Sequence, residues 1–340
     1  GNAKRLIAAY RECIDQGAEL VISPELSLVG YPPRDLVFKS SFVPKCLQAL
    51  DYLAEEIREI PMLVGYVDHH HPRQPGKPFR NAAAWLENGS VCHRVWKTLL
   101  PTYDVFDERR YFEPSESCAP VEWNGMRIGI TICEDIWTED YLDRPLYNRD
   151  PVSELSEQGI DLMLNLSASP FHLGKPELRR SMIGAIARKN RMPVVYCNAI
   201  GGQDQLVFDG HSLVVGPNGR IIEQFPGFNE SCNVVNPFDS KQEDDVLHGC
   251  DASQLYHALV LGLRDYAHKS GFSSACLGLS GGIDSALTAA IAADALGAEN
   301  IHGLTMPSPY SSRGSVDDSF ALAKNLGIRC DEISICAAFE

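Results

Sequence analysis

The stretch GITICEDIW, residues 129–137, puts a cysteine at the end of an apolar run and directly before two acidic residues. Residues 127–133 read as a buried strand, so Cys133 stands at a strand's C-terminal end. Two other stretches place charged residues in similar positions. VISPELSLVGYPPRDL, residues 21–36, puts Glu25 just past a buried strand, and RVWKTLLPTYDVFDERRYF, residues 94–112, puts Lys97 at a strand end with Glu108 eleven residues on. A thiol is a modest nucleophile until it loses its proton. A carboxylate within hydrogen-bond reach can take that proton. A lysine beside a reacting carbonyl, with the backbone N–H that follows the cysteine, can stabilise an oxyanion. Glu, Lys and Cys on three strand ends are therefore a complete set for acyl transfer from an amide. Taken singly, each has a structural reading: a packed thiol, a solvated strand end, a turn residue or helix cap.

Around these motifs the chain alternates short apolar runs with amphipathic stretches. Strands are expected at residues 19–22, 62–67, 82–86, 90–97, 127–133, 161–166, 194–198, 211–215 and 220–225, and helices at 3–16, 42–60, 152–158 and 176–190. That interleaving predicts an α/β layered domain over residues 1–235 with a mixed sheet. Residues 236–251, NPFDSKQEDDVLHGCD, carry a proline and an acidic patch at 243–245 and read as a linker. Beyond it, Leu255, Ala258, Leu259, Gly262, Leu263 and Tyr266 share one helix face, with Asp251 or Ser253 as the expected cap and Gly271 at the end. Strands at 275–279, 301–306 and 329–335 and helices at 286–296 and 318–326 then predict the start of a doubly wound parallel-sheet domain over residues 252–340. Three strands leave a sheet edge bare, so this unit is expected to continue in the natural protein; Gly1 likewise reads as an internal starting point.

The second domain's first strand runs into LGLSGGIDSALTAA, residues 277–290, a small-residue loop between a strand and an Ala-rich helix. It lacks the lysine of a P-loop. Glycines here let backbone N–H groups approach anionic oxygens, and the following helix offers its positive end. Ser280, Gly281, Gly282 and Ser285 are the candidate phosphate ligands, and Asp284 is a candidate for orienting the loop or a magnesium ion. The plainer reading is a glycine turn between strand and helix.

Composition narrows the field. The chain has 340 residues, 44% hydrophobic and 22% charged, with a formal charge of −15 from 30 basic and 45 acidic residues. A duplex nucleic-acid partner is not expected, since no basic patch stands out. No apolar run is long enough to span a bilayer, and no signal peptide is read at the start, so a cytoplasmic enzyme is expected. The 11 cysteines form no CxxC pair and suit a reducing compartment. Adjacent His69, His70 and His71 do not converge on one ion and read as a Pro-rich loop. Trp85, Trp96, Trp123 and Trp137 read as core, with Trp137 also placed to wall a pocket beside Cys133.

PELSLVGYPPRDL, WKTLLPTYDVFDERRYF and ITICEDIW, in this order, resemble the three signatures of the carbon–nitrogen hydrolase (nitrilase) superfamily. The resemblance implies an αββα sandwich, Cys133 as nucleophile, Glu25 as general base, Lys97 as oxyanion stabiliser and Glu108 as a supporting carboxylate. The fold's first strand would precede Gly1. SGGIDS resembles the loop of the N-type ATP pyrophosphatases, and MPSPYSSRGSVDDSFALAKNLGI, residues 306–328, is similar to the following segment of NAD synthetases. LNLSASPFHLGK, VVYCNAIGGQDQLVFDGHS and LYHALVLGLRDYAHKSGF extend the likeness, so nearly the whole chain resembles the glutamine-dependent NAD synthetases.

That likeness implies amidation of nicotinic acid adenine dinucleotide to NAD with ATP, Mg2+ and glutamine, an ammonia supply from the amidase, and a homo-oligomer. Tyr103, Ser169 and Lys175 would then hold glutamine, and residues 201–210 would line the contact with the synthetase domain. Residues 141–150, YLDRPLYNRD, look like extra length without an assigned role. Competing expectations are another glutamine amidotransferase with a different acceptor, a free-standing amidase, and a non-catalytic subunit. The intact motifs speak against the last. A chain of only these 340 residues is expected to hydrolyse glutamine without making NAD.

Overall fold

The computed structural model describes residues 1–137, 146–239 and 250–338. Most of the expected linker (240–249, with its acidic patch) and part of the 141–150 stretch (141–145) lie outside the described residues. The described residues divide into two units. Residues Gly1–Ile200 and 208–239 form the first, and Gly201–Val207 group with residues 250–338 in the second.

In the first unit, β1 (Val21–Ile22), β2 (Met62–His69), β3 (Phe79–Glu87) and β4 (Ser90–Trp96) form one sheet in that order, with β1 parallel to β2 and the rest antiparallel. The second sheet is built on three parallel strands, β6 (Met126–Ile132), β7 (Leu162–Ser167) and β8 (Val194–Asn198), with β5 (Val121–Trp123) antiparallel at one edge. After the hairpin β9 (Ile200–Gln203) and β10 (Leu206–Asp209), β11 (Leu213–Val215) and β12 (Ile221–Gln224) complete its other side.

Side-chain alternation assigns each face. Along β2 and β3, Leu63, Ala83 and Trp85 turn toward Ile128, Ile130 and Ile132 of β6 and Leu162, Leu164 and Leu166 of β7, making a buried layer between the sheets. Met62, Val64, Tyr66, Ala82, Ala84 and Leu86 point the other way, onto α1 (Asn2–Asp15) and α2 (Phe42–Glu56). Met163, Val194 and Tyr196 pack on α3 (Pro151–Glu157) and α4 (Lys175–Asn190). Helix, sheet, sheet, helix: the expected αββα sandwich is present. Each large aliphatic side chain in these layers contributes about 1.5–3 kcal/mol by leaving water.

In the second unit, α5 (Asp251–Lys269) precedes three parallel strands in sequential order, β13 (Ala275–Gly278), β14 (Ile301–Thr305) and β15 (Arg329–Glu332). α6 (Ile283–Leu296) and α7 (Arg313–Leu326) are the crossovers, and Ala289, Ala292, Ala293 and Ala323 bury against Leu279, Ile301 and Ile328. The α5 cap differs from expectation. Cys250 occupies the N-cap, and Asp251 is already helical, where its charge favours the helix N-terminus. α7 also begins earlier than residue 318, because the Ser312 hydroxyl accepts from the Ser315 N–H at 3.1 Å.

Candidate active sites

Glu25 leaves the end of β1 in a turn that lies against β2. Gly65 makes this close approach possible: a Cβ there would meet Leu26 N at 2.3 Å, Pro24 O at 2.6 Å and the Glu25 carbonyl carbon at 2.8 Å. Lys97 extends β4 by one more ladder bond, its N–H donating to Asn81 O at 2.9 Å. The strand end delivers its ammonium into the interior, where it is 0% exposed. There Lys97 Nζ meets Glu25 Oε1 and Glu108 Oε1, each at 2.7 Å. Asn81 Nδ2 donates to Glu25 Oε1 at 2.7 Å, Ala168 N to Glu25 Oε2 at 2.9 Å, and Tyr31 OH to Glu108 Oε1 at 2.8 Å. Two carboxyl groups and one ammonium are buried together here, and the fold tolerates this because each carboxyl oxygen has at least one donor, Glu108 Oε2 accepting from Asn81 Nδ2 at 3.4 Å.

Cys133 directly follows β6, which stops at Ile132 where the sequence suggested 133, and opens the 3-10 turn Cys133–Ile136 with φ +46°, a left-handed conformation that costs a non-glycine residue about 1–3 kcal/mol. Asp135 holds this elbow. Its Oδ2 accepts from Ile132 N at 3.1 Å, and its Oδ1 from Thr98 N and Leu99 N at 2.9 and 2.7 Å, tying the cysteine turn to the residues after Lys97. The thiol is 5% exposed; burial, then the charge of Glu25, pushes it well above the usual thiol range against the pull of Lys97. Burial and Glu25 likewise push Glu108 up to about 7, with Lys97 opposing. Burial disfavours the charged Lys97, but Glu108 and Glu25 outweigh it and hold the ammonium firmly protonated.

Beside the cysteine, Glu134 is 3% exposed, and its Oε1 accepts from Tyr103 OH at 2.8 Å and Tyr147 OH at 2.9 Å. Lys175 Nζ lies 4.3 Å from the centre of the Trp137 ring. Burial and the charge of Arg179 lower the Lys175 pKa. Ser169 is buried, with its N–H donating to Asn198 Oδ1 and its C=O accepting from Arg179 Nη2, both at 2.9 Å. Buried Arg179 also pairs with Asp209, whose Oδ2 takes His211 Nδ1 at 2.7 Å. The four residues expected for catalysis are thus mutual neighbours, and Tyr103 and Lys175 both lie beside the turn that follows Cys133. Sequence reading missed Asn81, Asp135, Glu134 and Tyr147. Only the acidic pair in CEDIW carried a visible signal, standing next to the nucleophile. His70, in the histidine run, accepts from Arg80 Nε at 2.9 Å on Nδ1.

In the second unit, Ser280–Gly282 form an exposed loop between β13 and α6, and Ser285 stands in the first turn of α6. Ser285 Oγ accepts from Ser280 N at 3.2 Å and donates to Gly282 O at 2.9 Å, while Ser280 Oγ accepts from Gly282 N at 3.3 Å. Gly281 has φ +73°, and a Cβ there would lie 2.6 Å from Ser315 O. Asp284 is exposed in the first turn of α6. Among the described residues no group of three His, Cys, Asp or Glu could enclose a metal ion. A single exposed carboxylate does fit a magnesium ion that is carried largely by nucleotide phosphates and water. No described helix is long and apolar enough to cross a membrane.

The carbon–nitrogen hydrolase family model matches residues 1–236, and the NAD synthase model matches residues 255–340. The glutamine-dependent NAD(+) synthetase of Synechocystis sp. is 44% identical over 98% of this chain and 62% of its own length; that of Thermotoga maritima is 37% identical over 100% and 63%. The structure of glutamine-dependent NAD+ synthetase from Acinetobacter baumannii, in complex with ADP, superposes with a TM-score of 0.91 at 36% identity, over 99% of this chain and 62% of that one. An amidase from Nesterenkonia sp. shares the fold of the first unit, with a TM-score of 0.54 at 24% identity over 66% of this chain and 80% of its own. The chain therefore spans 62% of the Synechocystis relative's length. With 236 of its residues matched by one family model, the chain belongs to the carbon–nitrogen hydrolase family, and an NAD synthase segment follows that domain.

Proposed function

We propose that this chain is the glutaminase domain, followed by the ATP-binding segment, of a glutamine-dependent NAD synthetase. The observation that carries the reading is the buried Glu25–Lys97–Glu108 cluster beside a strained cysteine elbow. A thiol held above its usual pKa is protonated at rest, so its proton must leave during attack. Glu25 takes it as Cys133 Sγ adds to the side-chain carboxamide carbon of glutamine. Lys97 Nζ and the N–H of Glu134 stabilise the oxyanion. Collapse breaks the C–N bond, Glu25 returns the proton to the departing ammonia, and a thioester remains. Water, deprotonated by Glu25, then releases glutamate and the free thiol.

Tyr103, Ser169 and Lys175 bind the glutamine, Lys175 meeting the α-carboxylate and Glu134 the α-ammonium. The backbone of Ser280, Gly281 and Gly282, with the Ser285 hydroxyl, holds ATP phosphates. Asp284 would hold a magnesium ion, which supplies charge neutralisation on those phosphates. The acceptor is nicotinic acid adenine dinucleotide, adenylated with loss of pyrophosphate. Ammonia then displaces AMP to give NAD. On the family likeness alone we extend the reading to a cytoplasmic homo-oligomer with domains at residues 1–235 and 252–340.

NAD formation tests this, using the full-length protein and its Cys133→Ala variant with either glutamine or ammonium. The variant should lose glutamine-driven synthesis and keep ammonium-driven synthesis. Amide hydrolysis without NAD from either source would overturn the synthetase assignment.

A further inference from the structure

Residues 141–150 were read as extra length. Of these, 146–150 are described, and they reach the site. Tyr147 OH donates to Glu134 Oε1 at 2.9 Å, the same oxygen that Tyr103 OH reaches at 2.8 Å. Glu134 Oε2 accepts no hydrogen bond from any described residue. The segment is tied down just beyond the tyrosine. Arg149 forms a fork with Glu154, Nε to Oε1 at 2.8 Å and Nη2 to Oε2 at 2.5 Å, and its Nη1 donates to Ser115 O at 2.5 Å. Asp150 caps α3, accepting from Ser153 N at 3.1 Å. Tyr147 is thus carried by an anchored segment, not by a free loop tip.

We propose that Tyr147 is a positioning residue for glutamine, acting through Glu134: the two tyrosines pin one carboxylate oxygen and keep the other available for the substrate's α-ammonium group. This rests on the reading of the first domain as a glutaminase. A glutamate side chain has three rotatable bonds, and fixing it before the substrate arrives spares the cost of ordering it on binding. A carboxylate that accepts two hydroxyls on one oxygen is limited to one plane and one tilt. The benefit is felt equally by bound substrate and transition state, because the α-ammonium lies away from the reacting amide. Its loss therefore belongs in KM and not in kcat.

Among the described residues, the charged and titratable groups facing Glu134 include Lys97, Lys175, Cys133 and the two tyrosines. Burial raises the Glu134 pKa, and the hydrogen bonds from Tyr103 and Tyr147 pull it down. Without the Tyr147 hydroxyl it rises further, so the ionised acceptor appears only at higher pH.

Glutamate release from glutamine is measured across pH for the wild type, Tyr147→Phe, Glu134→Gln, the double variant and Cys133→Ala. Phe keeps the ring and its packing. The expected result for Tyr147→Phe is a glutamine KM raised about tenfold, the scale of one hydrogen bond to a charged group. Its kcat stays near wild type, and the acid limb of kcat/KM shifts to higher pH. In the Glu134→Gln background the Tyr147→Phe effect should vanish. An unchanged KM and acid limb, or an equal loss with and without Glu134, overturns the inference while leaving the glutaminase reading intact. Hydrolysis that does not depend on Cys133 overturns the glutaminase reading and the inference with it.

Discussion

Gly65→Ala adds one methyl group to β2 directly beneath the turn that carries Glu25. The new Cβ would meet Leu26 N at 2.3 Å, Pro24 O at 2.6 Å and the Glu25 carbonyl carbon at 2.8 Å, where ordinary contact begins at 3.4 Å. All three atoms are backbone, so no side chain can turn aside. The turn must retreat by about 1 Å. Glu25 accepts from Lys97 and Asn81 at 2.7 Å and from Ala168 N at 2.9 Å, and a shift of that size takes it out of reach of all three. Misplacing a catalytic group by about 1 Å costs about 100-fold in rate. The overpacking itself costs about 1–3 kcal/mol, or several degrees in Tm. The assay is glutamine hydrolysis under saturating substrate, with a thermal melt on the same preparation. Gly129→Ala is the control: its Cβ would meet Ile160 Cδ1 at 2.4 Å, the far end of a side chain that can rotate away, so its rate loss should be far smaller. A Gly65→Ala protein that melts cooperatively and turns over glutamine at the wild-type rate would refute the claim that this approach sets the position of Glu25.

Lys97→Met leaves Glu25 and Glu108 buried without their shared cation; hydrolysis should disappear and stability should fall by about 3–5 kcal/mol in denaturant titrations. Glu108 titrates near 7 in the folded protein against 4.5 ordinarily, so between those values the folded state keeps a proton that the unfolded chain gives up. Its contribution to stability is present at low pH and declines as pH rises through that window. Glu108→Gln should remove a slope of at most about 1.4 kcal/mol per pH unit from stability measured between pH 4.5 and 7. Gly281→Ala forces a side chain onto a backbone at φ +73° and 2.6 Å from Ser315 O. It should abolish nucleotide binding, measured by calorimetry on the full-length protein, and leave glutamine hydrolysis by the first domain unaffected.

The strands of the sandwich were legible from their apolar runs, and Glu25, Lys97 and Cys133, each with a plain structural reading when taken singly, stood out only as a set on three strand ends. Asn81 was invisible. It opens NAAAWLE, where an asparagine reads as a strand boundary, and only the fold shows it inside, bonded to Glu25. Asp135 and Glu134 were visible as residues but not as an anchor and an acceptor, since Thr98, Leu99 and Tyr103, three of the residues that donate to them, lie 31 to 37 residues away in sequence. β9 and β10 were missed because two glycines and four-residue strands carry little β signal, and β5 has only three residues. The α7 start was missed because a serine-rich stretch reads as loop until Ser312 is seen capping it. Tyr147 lay in a stretch with no periodicity at all.

The most direct test is the release of glutamate and ammonia from glutamine by this 340-residue chain and by Cys133→Ala. The parent chain should release the two products equally and the variant neither, with a thioester-linked glutamyl group on the Cys133 peptide after rapid acid quench. Glutamine hydrolysis that survives Cys133→Ala, or a glutamyl adduct on any other residue, would contradict it.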